Sequence, residues 1–183
     1  MIRCLDVMFA LLGLVLGFPI LLLIYVVGCF DTGSPLFMQE RVGRNKNIFV
    51  LIKFRTMSLD TASVASHLAS TSSITKLGGF LRKTKLDELP QLWNVLKGEM
   101  SLVGPRPGLF NQIELTEERE KLGVFSVQPG ITGLAQVSEI DMSTPKLLAE
   151  TDSEMIKSLN IKSYFTYIFM TVLGKGSGDR IKS

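Results

Sequence analysis

Two adjacent carboxylates, Asp87 and Glu88, are the residues of this chain best suited by type and spacing to do chemistry. They lie between a basic cluster, Arg82, Lys83 and Lys85, and a Gly-Pro-Arg-Pro turn at residues 104–107. Carboxylates bind divalent cations or attack phosphorus, and guanidinium groups hold phosphate oxygens. The combination points to a phosphorylated substrate. An ionised aspartate needs no general base to act as a nucleophile. That suits a chain whose single histidine, His67, falls in a Ser/Thr/Ala-rich stretch that reads as an exposed loop.

The elements that must position these groups follow from periodicity and turn chemistry. Leu89, Leu92, Trp93 and Leu96 recur at helical spacing, Lys97 comes next, and Gly98 supplies a C-cap. Pro90 is tolerated only in a first turn, so the helix is expected to start near residues 86–89, with Asp87 and Glu88 at its N-terminus. Acidic residues there can serve the helix dipole alone, a stabilisation of about 0.3–1 kcal/mol. The same helix end also favours bound phosphate. Upstream, residues 36–40 and 48–54 read as the strands of a β-hairpin, and residues 60–73 as a mobile loop with Ser72 or Ser73 capping a short helix over 77–83. Downstream, residues 114–121 suggest a helix whose run Glu117-Glu118-Arg119-Glu120 is a solvated face. Residues 134–137 read as a strand and 147–159 as a helix. The largely apolar run 161–173 is only 13 residues, too short to span a bilayer, and suits a core or interfacial element.

Hydrophobic residues make up 46% of the chain and the mean hydropathy is +0.29, an excess concentrated near the N-terminus. Residues 7–30 form a run of 24 without a charge, bounded by Asp6 and Asp31. Its length, with only Arg3 upstream and no small-residue cleavage site, marks a retained membrane segment rather than a signal peptide. Pro19 lies inside it, beside Gly17 and Phe18. The 12 residues before Pro19 reach about 18 Å as a helix, short of a hydrocarbon core roughly 30 Å thick. A kinked spanning helix and a re-entrant helix-break-helix hairpin are both compatible with that pattern. Arg41, Arg44, Lys46, Lys53 and Arg55 soon after the run place the remaining chain on the cytoplasmic side.

Charge is uneven. Residues 1–107 carry 12 Lys/Arg against 7 Asp/Glu, while residues 108–183 carry 8 against 10. A basic first half suits anionic headgroups and phosphates, and no motif for nucleic acid is present. Cys4 and Cys29 flank the apolar run, show no zinc spacing, and read as small buried hydrophobes.

The chain resembles the small monotopic phosphoglycosyl transferases, the bacterial sugar transferase family. The resemblance rests on the apolar N-terminal segment and, in order, Gln39-Glu40-Arg41-Val42-Gly43, Lys53-Phe54-Arg55-Thr56-Met57, Leu86-Asp87-Glu88-Leu89-Pro90-Gln91, Asn94-Val95-Leu96-Lys97-Gly98, Gly104-Pro105-Arg106-Pro107 and Pro129-Gly130-Ile131-Thr132-Gly133. It implies a mostly helical α+β fold. Residues 1–30 would form a membrane-inserted, re-entrant broken helix. Residues 31–183 would form a cytoplasmic, interfacial catalytic domain with a β-hairpin and amphipathic helices around the active site.

The implied reaction moves a sugar-1-phosphate from a UDP-sugar to undecaprenyl phosphate with Mg²⁺, releasing UMP, at the bacterial inner membrane. It would be the first membrane step of glycan assembly. By the resemblance Asp87 is the nucleophile that forms a phosphoglycosyl-aspartate intermediate, and Glu88, with Asp87, associates with the metal. Arg82 and Arg106, with Pro105 and Pro107 around the latter, would bind phosphate or nucleotide, as would Lys53 and Arg55. Membrane lipids are further expected partners, nucleic acid is not, and a homodimer is compatible with the pattern. Two departures stand out: Phe18-Pro19 replaces the family's Ser-Pro pair, and residues 133–140 lack the family's usual Trp and Asn-Gly-Arg. The rival readings are a membrane-bound, metal-dependent lipid-pyrophosphate phosphohydrolase and a non-catalytic adaptor.

Overall fold

Twenty-four consecutive uncharged residues can satisfy their backbone without water only as a helix, and they do. The computed structural model describes residues 1–61 and 73–176, and in it α1 runs unbroken over Ile2–Asp31 with Pro19 inside. The expected break into two helices is absent. An interior proline removes one hydrogen bond and can bend a helix without ending it. Of the most apolar window of α1 only 11% is buried, too little for the core helix of a soluble domain. Its buried positions fall in two groups, Asp6 and Ala10 near one end and Ile24 and Gly28 near the other. Cys4 and Cys29 are exposed thiols on the rest of the helix, not buried as expected.

Both ends of α1 meet the remainder of the chain. Ala10 packs with Phe49, Leu51, Val95 and Met100 in one apolar cluster. Ile24 packs with Phe54 and Leu81 in another. At Gly28 an added Cβ would stand 2.8 Å from the Pro35 ring, so the helix and the turn after it touch backbone to side chain.

That turn leads into the hairpin of β1 (Leu36–Val42) and β2 (Ile48–Phe54), paired antiparallel from Leu36↔Phe54 to Val42↔Ile48. The hairpin's buried face is mixed, polar beside apolar. Gln39, Arg41 and Lys53 are buried with Phe49 and Leu51, whereas Met38, Ile48 and Val50 are exposed.

Helix α2 (Lys76–Thr84) is capped by Thr75, whose hydroxyl accepts the Gly78 N–H at 2.9 Å, rather than by Ser73; Ser72 and His67 lie outside the described residues. A 3-10 turn, Leu86–Glu88, joins it to α3 (Gln91–Lys97), which ends at Gly98 in the left-handed region, φ 86°. The Leu89/Leu92/Trp93/Leu96 stripe is only partly the face α3 buries: Leu92 and Leu96 pack against the cluster of Ala10, Phe49, Leu51 and Met100, but they are not its most buried residues. Gln91, Asn94 and Val95 are buried and Trp93 is 53% exposed. The reason is Asn94: its amide oxygen accepts the Ile52 N–H at 3.2 Å and its nitrogen donates to Val50 O at 2.7 Å, satisfying the edge of β2.

Strand β3 (Ser101–Val103) pairs in parallel with β4 (Gly130–Thr132). Residues 134–137, expected as a strand, form instead the short helix α5 (Leu134–Val137). Strand pairing stops at Thr132, and Gly104 and Gly130 approach so closely that a Cβ on Gly130 would lie 2.0 Å from the Gly104 nitrogen. Three helices complete the fold: α4 (Ile113–Lys121), α6 (Pro145–Ser158) and α7 (Ile161–Val172). Leu115 of α4, Ala135 of α5 and Leu148 of α6 share one cluster.

The N-terminus of α1 is fixed by an unexpected set of polar contacts. Asp6, 1% exposed, accepts hydrogen bonds from Ser101 Oγ at 2.9 Å, the Leu102 N–H at 3.0 Å and Tyr164 Oη at 2.8 Å. A buried carboxylate persists only with such partners. Arg3 adds bonds to the carbonyls of Met100 and Leu96.

Candidate active site

Asp87 and Glu88 occupy the 3-10 turn between α2 and α3, so their backbone is set by what turns the chain there. That residue is Lys85, held in the left-handed region at φ 58°, with its N–H bonded back to Arg82 O. Non-glycine residues in this region are uncommon and mark an imposed conformation. Lys85 Nζ donates to Lys175 O at 2.6 Å. Burial pushes its ammonium below the ordinary lysine value, a shift that Glu88 opposes and Arg106 assists.

Asp87 is 6% exposed. Glu88 meets Arg106 in an ion pair, Oε1 to Nη2 at 2.9 Å, with side chains 12% and 25% exposed. This pair joins the carboxylate turn to the Gly-Pro-Arg-Pro turn after β3. Beside it Arg106 and Pro107 line a small pocket with Arg41, Lys53 and Gln91. Its floor is Leu51, Gly130 and Ile131. Three cationic side chains line one recess, and the carboxylate turn reaches it through the Glu88–Arg106 pair. Such a recess attracts an anion, and low local polarity strengthens the attraction.

The sequence-predicted residues therefore separate. Lys53, Arg106 and Pro107 line one pocket, Glu88 joins them through Arg106, and Asp87 precedes Glu88 in the same turn. Pro105 lines the opposite side of the same turn with Arg119, Phe125 and Pro129. Arg82 stands in the last turn of α2, one turn before Lys85. Arg55 is turned to the chain: its Nε donates to Ser34 O at 2.9 Å and Nη2 to Leu36 O at 3.3 Å, with the guanidinium 5.4 Å from the Phe37 ring. It does not line the pocket.

Arg41 and Gln91 were absent from the sequence-based site. Arg41 read as one of several basic residues after the apolar run. Its position two residues after Gln39 on a strand, both facing inward opposite Leu51 and Phe49, was the available signal. Gln91 stood within the Leu86–Gln91 motif but carried no charge to single it out.

A model of the bacterial sugar transferases matches residues 1–175. The chain belongs to the bacterial sugar transferase family. Among the family's proteins, it is similar to a UDP-galactose-lipid carrier transferase of Erwinia amylovora, 36% identical over 93% of this chain and 39% of that protein. An undecaprenyl-phosphate galactose phosphotransferase of Salmonella typhimurium is 32% identical over 92% of this chain and 39% of its own length. The exopolysaccharide production protein ExoY of Sinorhizobium fredii is 32% identical over 96% of this chain and 87% of its own. The chain thus spans about two fifths of the first two relatives and most of the third.

Proposed function

We propose that this chain transfers a sugar-1-phosphate from a UDP-sugar to undecaprenyl phosphate through a covalent aspartyl intermediate. The observation that carries this reading is the meeting of the Asp87–Glu88 turn with Arg106 beside the pocket of Arg41 and Lys53. Membership of the family and the lipid-carrier and undecaprenyl-phosphate transferases among its relatives supply the substrate classes.

In the first step an oxygen of the Asp87 carboxylate attacks the sugar-bearing phosphorus of the donor. The bond from that phosphorus to the bridging oxygen breaks, and UMP leaves with the electron pair. In the second step an oxygen of undecaprenyl phosphate attacks the same phosphorus. The aspartyl–phosphorus bond breaks, the carboxylate is regenerated, and the sugar remains on undecaprenyl diphosphate. Both steps bring an anion to an anionic centre, so positive charge must be in place beforehand. Arg106, Lys53 and Arg41 supply it, and Glu88 orients Arg106. Arg82 stands near enough to the turn to add a further cation.

The donor set fits a magnesium ion shared with the substrate. Among the described residues no group of three or more His, Cys, Asp or Glu is placed to hold a metal alone. Mg²⁺ commonly takes one or two carboxylates together with substrate phosphates. Glu88, with Asp87 beside it, would hold the ion, which when bound neutralises diphosphate oxygens.

The acceptor is confined to the membrane, and α1 brings the site there. Asp6 and Gly28 are 22 residues apart in one helix, a rise of about 33 Å. A helix crossing the bilayer would carry them to opposite faces, yet Asp6 is bonded to Ser101 and Leu102 while Ile24, one turn before Gly28, packs on Phe54 and Leu81. This supports a helix held on one side of the membrane, by the family resemblance the cytoplasmic face of the inner membrane, without the return limb that a break at Pro19 would give.

The test is UMP release by the detergent-solubilised protein with Mg²⁺, undecaprenyl phosphate and a panel of UDP-sugars, alongside Asp87→Asn. Release with at least one donor, absent in the folded variant, is expected. Equal release by Asp87→Asn would remove that residue as nucleophile. Phosphate release from lipid pyrophosphates, without UMP from any donor, would favour the phosphohydrolase.

A further inference from the structure

Four consecutive carbonyls of the turn that carries Arg106 are each held by a separate donor. Pro105 O accepts the Gly130 N–H at 2.8 Å and Gly108 O accepts the Val42 N–H at 3.0 Å. The two between them are held by side chains: Arg106 O accepts from Arg119 Nη1 at 2.8 Å, and Pro107 O from Arg41 Nη1 at 3.1 Å. Both guanidinium groups are buried, Arg119 at 3% exposure and Arg41 at 7%. Proline at 105 and 107 fixes φ on either side of Arg106, so little backbone freedom remains.

Arg119 is itself fixed. It lies in α4, in the charged run that reads as solvated, yet its Nε and Nη2 both donate to Asp152 Oδ2 of α6, at 3.0 and 2.7 Å. Asp152 is fully buried, and its Oδ1 has no hydrogen-bond partner. Burial pushes this carboxyl above its ordinary value, against the pull of Arg119. A buried ion pair with an unsatisfied oxygen is a poor way to pack two helices, since apolar residues of similar volume commonly do as well or better. What an apolar pair could not do is reach the Arg106 carbonyl. Guanidinium has five donors in a fixed fork. Two serve Asp152 and a third points at the turn.

We infer that the buried Asp152–Arg119 pair is a positioning device for the active site, holding the Arg106 backbone so that its guanidinium faces Glu88. Arg119 and Asp152 touch no reacting atom; they act through Arg106. The inference rests on the proposed role of Arg106 in binding the donor's phosphates. Misplacing such a group by an ångström can cost on the order of a hundredfold in rate.

The experiment is a double-mutant cycle on the full-length protein in detergent: wild type, Arg119→Lys, Arg106→Ala and the double variant, with Asp152→Asn as a second way of perturbing the pair. Steady-state UMP release and thermal unfolding are measured on each. Arg119→Lys and Asp152→Asn are expected to lower kcat/KM for the UDP-sugar by about tenfold to a hundredfold. In the Arg106→Ala background, Arg119→Lys should cost roughly twofold or less beyond Arg106→Ala itself. Losses that multiply in the double variant would show a structural role independent of Arg106 and overturn the proposal. So would unchanged kcat/KM with a lowered Tm, or failure of both Arg119→Lys and Asp152→Asn to fold. If wild type releases no UMP, the proposed reaction fails separately, and the cycle is read from UDP binding by calorimetry. Affinity lost in each single variant without further loss in the double then sustains the positioning role. Affinity equal in all four, or absent from wild type, overturns it.

Discussion

Glu88 and Arg106 stand 18 positions apart in the chain and form an ion pair at 2.9 Å, each side chain largely withdrawn from solvent. A hydrogen bond to a charged, partly buried group contributes about 1.5–3 kcal/mol. Arg106→Ala is therefore expected to lower kcat/KM for the nucleotide sugar by at least about tenfold, with Arg106→Lys recovering only part, because an ammonium is a point charge without the planar fork. Steady-state UMP release measures both. Equal rates in Arg106→Ala and wild type would separate this pair from catalysis.

Metal removal offers an independent check on the carboxylates. Two acidic side chains hold Mg²⁺ only weakly without substrate phosphates, so EDTA should abolish UMP release and added Mg²⁺ should restore it fully. Thermal unfolding of the substrate-free protein should be nearly insensitive to the same treatment. Turnover that persists in excess chelator would contradict the metal reading.

Tyr164 donates to Asp6 at 2.8 Å across 158 positions. Removing that donor with Tyr164→Phe leaves a buried carboxylate with two donors instead of three, a loss of about 1.5–3 kcal/mol of stability. Burial and then the Asp6 carboxylate raise the phenol above its ordinary value of 10.0. A group whose folded value is raised gives stability that is full below the unfolded value and fades above it. The difference in stability between wild type and Tyr164→Phe should therefore be flat with pH up to about 10 and shrink beyond it. Chemical denaturation in detergent at several pH values tests this, and a difference that shrank toward acid instead would contradict it.

The contact of both ends of α1 with one domain leads to a labelling prediction. A small tag at Met1 should react with a membrane-impermeant reagent only when the cytoplasmic face is open. Labelling from the periplasmic face in intact cells would establish a spanning helix.

Much of this arrangement was legible in the sequence because it is local. The hairpin, the turn at Gly98, the extents of α4, α6 and α7 and the apolar character of α1 each follow from a period or a capping residue. The adjacency of Asp87, Glu88 and the Arg106 turn was legible as chemistry, though not as the ion pair that joins them. What was not legible depends on long-range satisfaction of polar groups. Arg119 sits among three glutamates, and nothing within α4 shows that Asp152, 33 positions on, turns it inward. Asn94 lies off the apolar stripe and is nonetheless fully buried, because β2 offers it two backbone partners. The hairpin places Arg41 and Lys53 inside beside Phe49 and Leu51, a departure from the usual apolar inner face of a strand pair. Local propensity cannot anticipate a site that needs buried charge.

Asp6 and Ala10 of α1 fill space among Ser101, Tyr164, Val95 and Met100 that no other element described occupies. The long apolar helix is thus also a wall of the core. Shortening the chain to begin after residue 31, as one would to obtain a soluble form, would remove an anion that three donors require and open an apolar cleft behind α3. The rest of the chain is in that sense not a separable unit, because its core is completed by the same helix that carries the chain's longest apolar surface.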